Sequence, residues 1–258
     1  MSGLNLPLDL EPPADMPPLA GAGGPAGGVA GAAAKPKEER IREPRRAAKK
    51  RNREQDRWMQ LADECSAALA FIEGADRARL GITSCLRGEG RTTVAAATAL
   101  AQCLDFGLET ILVELDLENP SLAGLLGLEP RPGVAEVLRG EAHLDACIQW
   151  TRSDLGVLVA GAVRSNPSKL VSALMTSSLI DDAQQRCQVM VADLPPFSGP
   201  GARVAGLCSS VLLVVRAGAT SLDHVRRAAA ELDHPPVMLN RVTSSLPRWM
   251  NGMFGSTR

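Results

Sequence analysis

Nine consecutive residues, Cys85-Leu86-Arg87-Gly88-Glu89-Gly90-Arg91-Thr92-Thr93, bring together glycine, arginine and hydroxyl side chains in a form that suits an anion. Gly88 and Gly90 let the backbone turn so that successive N–H groups point inward. A helix opening near Arg91 adds the positive end of its dipole. Thr92 offers a hydroxyl of the kind that holds Mg²⁺ beside phosphate. Arg91 carries a permanent charge on a planar fork able to grip two phosphate oxygens at once. Arg87, Gly88, Glu89, Gly90, Arg91, Thr92 and Thr93 are the candidate phosphate-binding residues.

Two acidic segments share the setting of that loop. Glu114-Leu115-Asp116 and Asp193-Leu194-Pro195-Pro196 each follow a short apolar run. An acid that closes a buried strand is badly placed for packing and well placed to meet a metal at the sheet edge. Asp193 has the character of an Mg²⁺-holding aspartate, and Asp116 of a residue that orients the attacking group or joins the metal shell. Period-two alternation puts Glu114 on the same side as Asp116, as a metal-shell carboxylate or a base. Thr92, Asp116 and Asp193 form the candidate metal set. Arg91, Glu114, Asp116 and Asp193 form the candidate catalytic set. The nine-residue loop resembles the P-loop pattern G-x-x-x-x-G-K-[ST], with Cys85 in place of the first glycine and Arg91 in place of the lysine.

Such residues need a sheet to hold them. Six apolar runs read as strands: 80–83, 110–113, 157–160, 189–192, 211–215 and 236–239. Helical stretches separate them, the first from Thr92 to about Leu104. That alternation predicts an α/β fold, a P-loop NTPase-type parallel sheet with helices on both faces and its chemistry at the strands' carboxyl ends. Ahead of it, Trp58, Leu61, Cys65, Leu69 and Ile72 recur at helical spacing, so an amphipathic helix is expected over about 56–73, ended by Gly74. The periodicity leaves open whether that helix packs on the domain or on a partner. The expected division is a tail over 1–57, the helix segment 58–76, the nucleotide-binding domain 77–243 and an irregular C-terminal tail 244–258. Residues 1–34, rich in Pro, Gly and Ala, are expected to be disordered.

Composition narrows the function. Apolar residues make up 45 % of the 258, which excludes a wholly disordered chain. There is no tyrosine. The net charge is −1, but eleven Lys/Arg against five acids between Lys35 and Arg57 give that segment +6. A basic segment of this kind suits contact with an anionic membrane. No aromatic platform accompanies the charge, which argues against nucleic acid. The six cysteines lack any C-x-x-C pair and read as reduced thiols of a cytoplasmic protein.

Together these residues resemble the bacterial tyrosine kinase family of the CpsD/CapB type, within the MinD/ParA-like P-loop ATPases. The likeness spans about 79–243. It runs through Glu114-Leu115-Asp116-Leu117-Glu118-Asn119-Pro120-Ser121-Leu122, Pro132-Gly133-Val134, Asn166-Pro167-Ser168-Lys169-Leu170, Asp193-Leu194-Pro195-Pro196, Val214-Val215-Arg216-Ala217-Gly218-Ala219-Thr220 and Leu239-Asn240-Arg241. The resemblance implies ATP and Mg²⁺, a homo-oligomer, and a membrane-anchored activator of the polysaccharide chain-length regulator type. It implies a role in capsule or exopolysaccharide polymerisation and export at the inner face of the membrane. Asn240 resembles the family's position near the base.

The departures carry weight too. Members of this family autophosphorylate a C-terminal tyrosine cluster, and this chain has no tyrosine to receive phosphate. Glu114 stands where the family has aspartate, and Arg91 where it has lysine. The expectation is a nucleotide-responsive regulator rather than an autokinase. The alternatives are a MinD/ParA-like positional ATPase, against which Leu86 counts because that group carries a lysine there, and a non-catalytic scaffold with a relic P-loop.

Overall fold

A computed structural model describes residues 45–70, 72, 78–163 and 166–241. The expected tails over 1–34 and 244–258, and the helix stop at Gly74, lie outside the described residues. Seven strands form one sheet: β1 (Arg79–Ser84), β2 (Thr110–Glu114), β3 (Gln149–Trp150), β4 (Leu155–Leu158), β5 (Val189–Asp193), β6 (Ser210–Arg216) and β7 (Val237–Asn240). Their order is β3-β4-β2-β5-β1-β6-β7. All pairings are parallel except β3 with β4. The helices are α1 (Arg45–Leu69), α2 (Arg91–Phe106), α3 (Leu122–Leu126), α4 (Val134–Leu138), α5 (Leu144–Cys147), α6 (Pro167–Leu174), α7 (Leu179–Gln184), α8 (Ala202–Ala205) and α9 (Leu222–Glu231).

This is the expected α/β fold with a mostly parallel sheet. Three details differ from the sequence reading. Helix α1, expected over about 56–73 behind a tail reaching residue 57, begins at Arg45 and ends at Leu69. The strand expected at 157–160 runs from Leu155 to Leu158. Val159 and Ala160 leave the ladder because their carbonyls accept from Val134 N and Ala135 N, both at 2.9 Å. The antiparallel strand β3 was not foreseen, since two residues show no alternation.

Helix α2 explains the place of α1. Its run Val94–Cys103 is buried on every side, and five of those residues are alanine. Small side chains let a second helix approach closely. Trp58, Ala62, Cys65 and Leu69 form a stripe on α1 that shares one buried cluster with α2 and the sheet. A helix with its middle buried all round is covered on its outer side as well, and α1 supplies that cover. The opposite face of the sheet is closed by α4 to α8, through residues such as Val134, Leu144, Leu174, Ile180 and Val204.

Candidate functional site

Strand β1 ends at Ser84 and the loop 85–90 turns into α2 at Arg91. Gly88 and Gly90 have φ of 81° and 92°, a region that side chains disfavour. Gly90 is also the N-cap of α2, and no side chain caps that end. The first-turn N–H groups of a 16-residue helix therefore face the loop without a side-chain acceptor.

Strand β5 lies between β1 and β2 and carries Asp193 into the centre. Asp193 pairs in register with Ile82 on one side and Glu114 on the other. Asp116 lies two residues beyond the end of β2. Arg91 joins the two aspartates: Nε donates to Asp193 Oδ1 at 2.7 Å and Nη2 to Asp116 Oδ2 at 2.7 Å. All three are buried, with Arg91 at 8 % exposure, Asp116 at 1 % and Asp193 at 0 %. Burial by itself would lower the Arg91 pKa; Asp193 and Asp116 outweigh it and hold the guanidinium above its ordinary value. Burial pushes the Asp193 carboxyl up, against the pull of Arg91.

The remaining oxygens near the pair are mostly engaged. Asp116 Oδ1 accepts from Asn119 N at 3.1 Å. The Thr92 hydroxyl lies 3.2 Å from that of Ser121. Asp193 Oδ2 has no hydrogen-bond partner among the described residues. Arg87 bonds Glu118 at 3.0 Å and stands 3.8 Å from Asp116 Oδ2. Thr92, Asp116 and Asp193 thus come together as expected of a metal set, but the guanidinium occupies the space between the carboxylates. In this arrangement they do not fit a divalent cation, which could reach both aspartates only by displacing Arg91. Among the described residues no three His, Cys, Asp or Glu side chains cluster as a metal cage.

Glu114 has other partners than those expected of it. It is 1 % exposed, and its carboxylate accepts from the backbone N–H groups of Ser121, Leu122 (2.7 Å) and Ala160 (3.0 Å). Burial pushes its pKa up, against those three N–H bonds. Strand alternation does not carry from Glu114 to Asp116, because β2 ends at Glu114. Glu114 fixes the segment holding Ser121 and α3 rather than sharing an atom with the aspartates.

Glu89 and Asn240 also hold the loop in place. Glu89 accepts from Leu86 N at 2.8 Å within the loop, and from Thr220 and Arg216 N across to the end of β6. Asn240 Nδ2 donates to Glu89 O at 2.7 Å. Cys85 is buried, and burial pushes its thiol up to about 11, so it is inert packing rather than a nucleophile.

Two cavities meet at this edge. One of about 530 Å³ is lined by Arg87, Gly88, Gly90, Arg91, Thr92 and Thr93, with Asp116, Asn119, Ser121 and Arg241 opposite. A second, of about 330 Å³, lies between α1 and the loop and shares Gly90, Thr93 and Arg241, with Asn240 and Trp58 in its wall. The sequence reading missed Arg241 and the α1 residues. Arg241 adjoins Asn240 and carries charge, a signal that was available; α1 offered none, because its packing partner was open.

No protein-family model matches the chain. The tyrosine-protein kinase CpsD of Streptococcus agalactiae serotype Ia is 26 % identical over 184 residues, covering 68 % of this chain and 79 % of that protein. The succinoglycan biosynthesis transport protein ExoP of Rhizobium meliloti is 30 % identical over 176 residues, covering 66 % of this chain and 22 % of that protein. The solved VpsO kinase domain is 31 % identical with a TM-score of 0.63, covering 74 % of this chain and 98 % of that structure. Solved MinD ATPases of Pyrococcus species share the fold at a TM-score of 0.53. By its sequence likeness to these kinases the chain belongs to the bacterial tyrosine kinase family, and its sheet has the fold of the MinD ATPases.

Proposed function

We propose that this chain binds ATP by its phosphates in loop 85–93 and acts as a nucleotide-responsive regulator of exopolysaccharide or capsule polymerisation and export. The carrying observation is the cavity of about 530 Å³ at the sheet's carboxyl edge, where the two positive-φ glycines and Arg91 face Asp116, Asn119 and Ser121. The uncapped first turn of α2 and the Arg91 guanidinium supply N–H donors for phosphate oxygens. Asn240 and Arg241 border the adjoining cavity, which suits the nucleoside end.

The regulatory role rests on the relatives. ExoP is by name a succinoglycan biosynthesis transport protein, and CpsD a tyrosine kinase. The partner we assign is a membrane-anchored chain-length regulator, with the chain as a homo-oligomer at the inner face of the membrane and its basic segment 35–57 toward anionic lipid. Among the described residues no helix is long and apolar enough to cross a membrane. Autophosphorylation on tyrosine has no acceptor in this sequence.

Calorimetric titration of the full chain with ATP tests the reading. Binding is expected for the native protein and its loss for Gly88→Val, since Gly88 is exposed and a β-branched side chain at φ 81° distorts the loop without disturbing the core. Absence of ATP binding to the native protein refutes it.

A further inference from the structure

The acid pair already has a cation. Mg²⁺ demands near-octahedral oxygen ligation at about 2.1 Å and is held by carboxylates that are free to turn toward it. Here Asp193 Oδ1 and Asp116 Oδ2 are each bonded to Arg91 at 2.7 Å, and Asp116 Oδ1 to Asn119 N. Of the four carboxylate oxygens, Asp193 Oδ2 alone lacks a partner among the described residues. A divalent ion at that oxygen would sit beside a guanidinium that is buried and cannot give up its charge.

Arginine differs from lysine here in what it has left to offer. A lysine ammonium holds its three N–H donors on one nitrogen, so acids and phosphate must all gather at a single point. The Arg91 fork spends Nε on one aspartate and Nη2 on the other. Nη1 makes no hydrogen bond among the described residues, and Arg91 lines the phosphate cavity. One side chain can therefore neutralise the acids and still present two N–H groups to an anion. Beside it, Arg87 stands 3.8 Å from Asp116 and lines the same cavity, adding a second positive charge.

We propose that Arg91 takes the place of the divalent cation between Asp116 and Asp193, so that the loop binds nucleotide phosphates without Mg²⁺. The inference rests on the nucleotide reading above and adds to it the ligand form, a metal-free nucleoside di- or triphosphate.

Two measurements on the full chain test it. ADP and ATP affinities are compared in Mg²⁺ and in EDTA; the native protein is expected to differ by less than about threefold, and Arg91→Lys to bind at least about tenfold more tightly with Mg²⁺. Arg91→Lys keeps the buried charge and so avoids stranding two carboxylates. Mn²⁺ titration followed by electron paramagnetic resonance, without nucleotide, is expected to show no site in the native protein. Tightening of the native protein by tenfold or more with Mg²⁺ overturns the proposal. So does a native Mn²⁺ site that Asp193→Asn abolishes. Absence of nucleotide binding in both buffers overturns the nucleotide reading instead, and the Mn²⁺ titration still decides which cation the acids hold.

Discussion

The side-chain amide of Asn240 sits where a Cβ on Gly90 would stand, closer than van der Waals contact allows. The same amide donates to Glu89 O, so the end of β7 holds loop 85–90 in its turn. Gly90 is thus required twice, once for its φ of 92° and once for this contact. Gly90→Ala is expected to lower nucleotide affinity by at least about tenfold and stability by about 1–3 kcal/mol. Adding Asn240→Ala removes the clash but not the strain. Thermal melts of the double variant should therefore recover part of the lost stability and no more.

Glu114 should act on stability rather than on chemistry. Its carboxylate satisfies three backbone N–H groups, and glutamine offers one oxygen plus an amide that meets them donor to donor. Glu114→Gln is expected to cost about 2–3 kcal/mol in a urea titration. Burial raises its folded pKa, so its contribution is full below the unfolded value near about 4.3 and declines as pH rises through the folded one. The variant should show a flatter fall of stability with pH above that point.

Trp58 tests the role of α1. It is 2 % exposed in the cluster shared with α2, and its indole N–H has no partner among the described residues. Trp58→Ala is expected to destabilise by about 3–5 kcal/mol. Trp58→Phe keeps a ring and removes the unpartnered N–H, so denaturant midpoints should place it clearly nearer the native protein. Equal losses for the two variants would contradict the packing described for α1.

The cysteines should be unreactive in the folded protein. Burial pushes Cys85, Cys65 and Cys187 up to about 11, and Cys103 and Cys208 up to about 12. At pH 8 the thiolate fraction at a pKa of about 11 is only about one in a thousand. A thiol-specific chromogenic reagent should react slowly with native protein and titrate all six thiols after unfolding. Fast labelling of Cys85 in the native state would show that the loop opens.

What the residues alone determined was local. Gly88 and Gly90 marked the tight turn from β1 into α2, because glycine spacing acts over a few residues of backbone. The apolar runs marked six strands, with Asp193 as the acid that closes one of them, because burial of a parallel strand leaves a pattern in its own segment. The absence of tyrosine, read from the sequence alone, leaves the chain without a tyrosine acceptor for phosphate. Tertiary structure decided the partners. Asn240 meets Glu89 across 151 residues, and Glu114 meets Ala160 across 46. Arg91 reaches Asp193 and Asp116 only because the sheet order sets β5 between β1 and β2. Helix α1 carried an apolar stripe, but its partner was settled by the alanine face of α2, which lies in another segment. Periodicity records which side of an element is buried; which element buries it, and which charge meets which, depends on strand order and on contacts between distant segments.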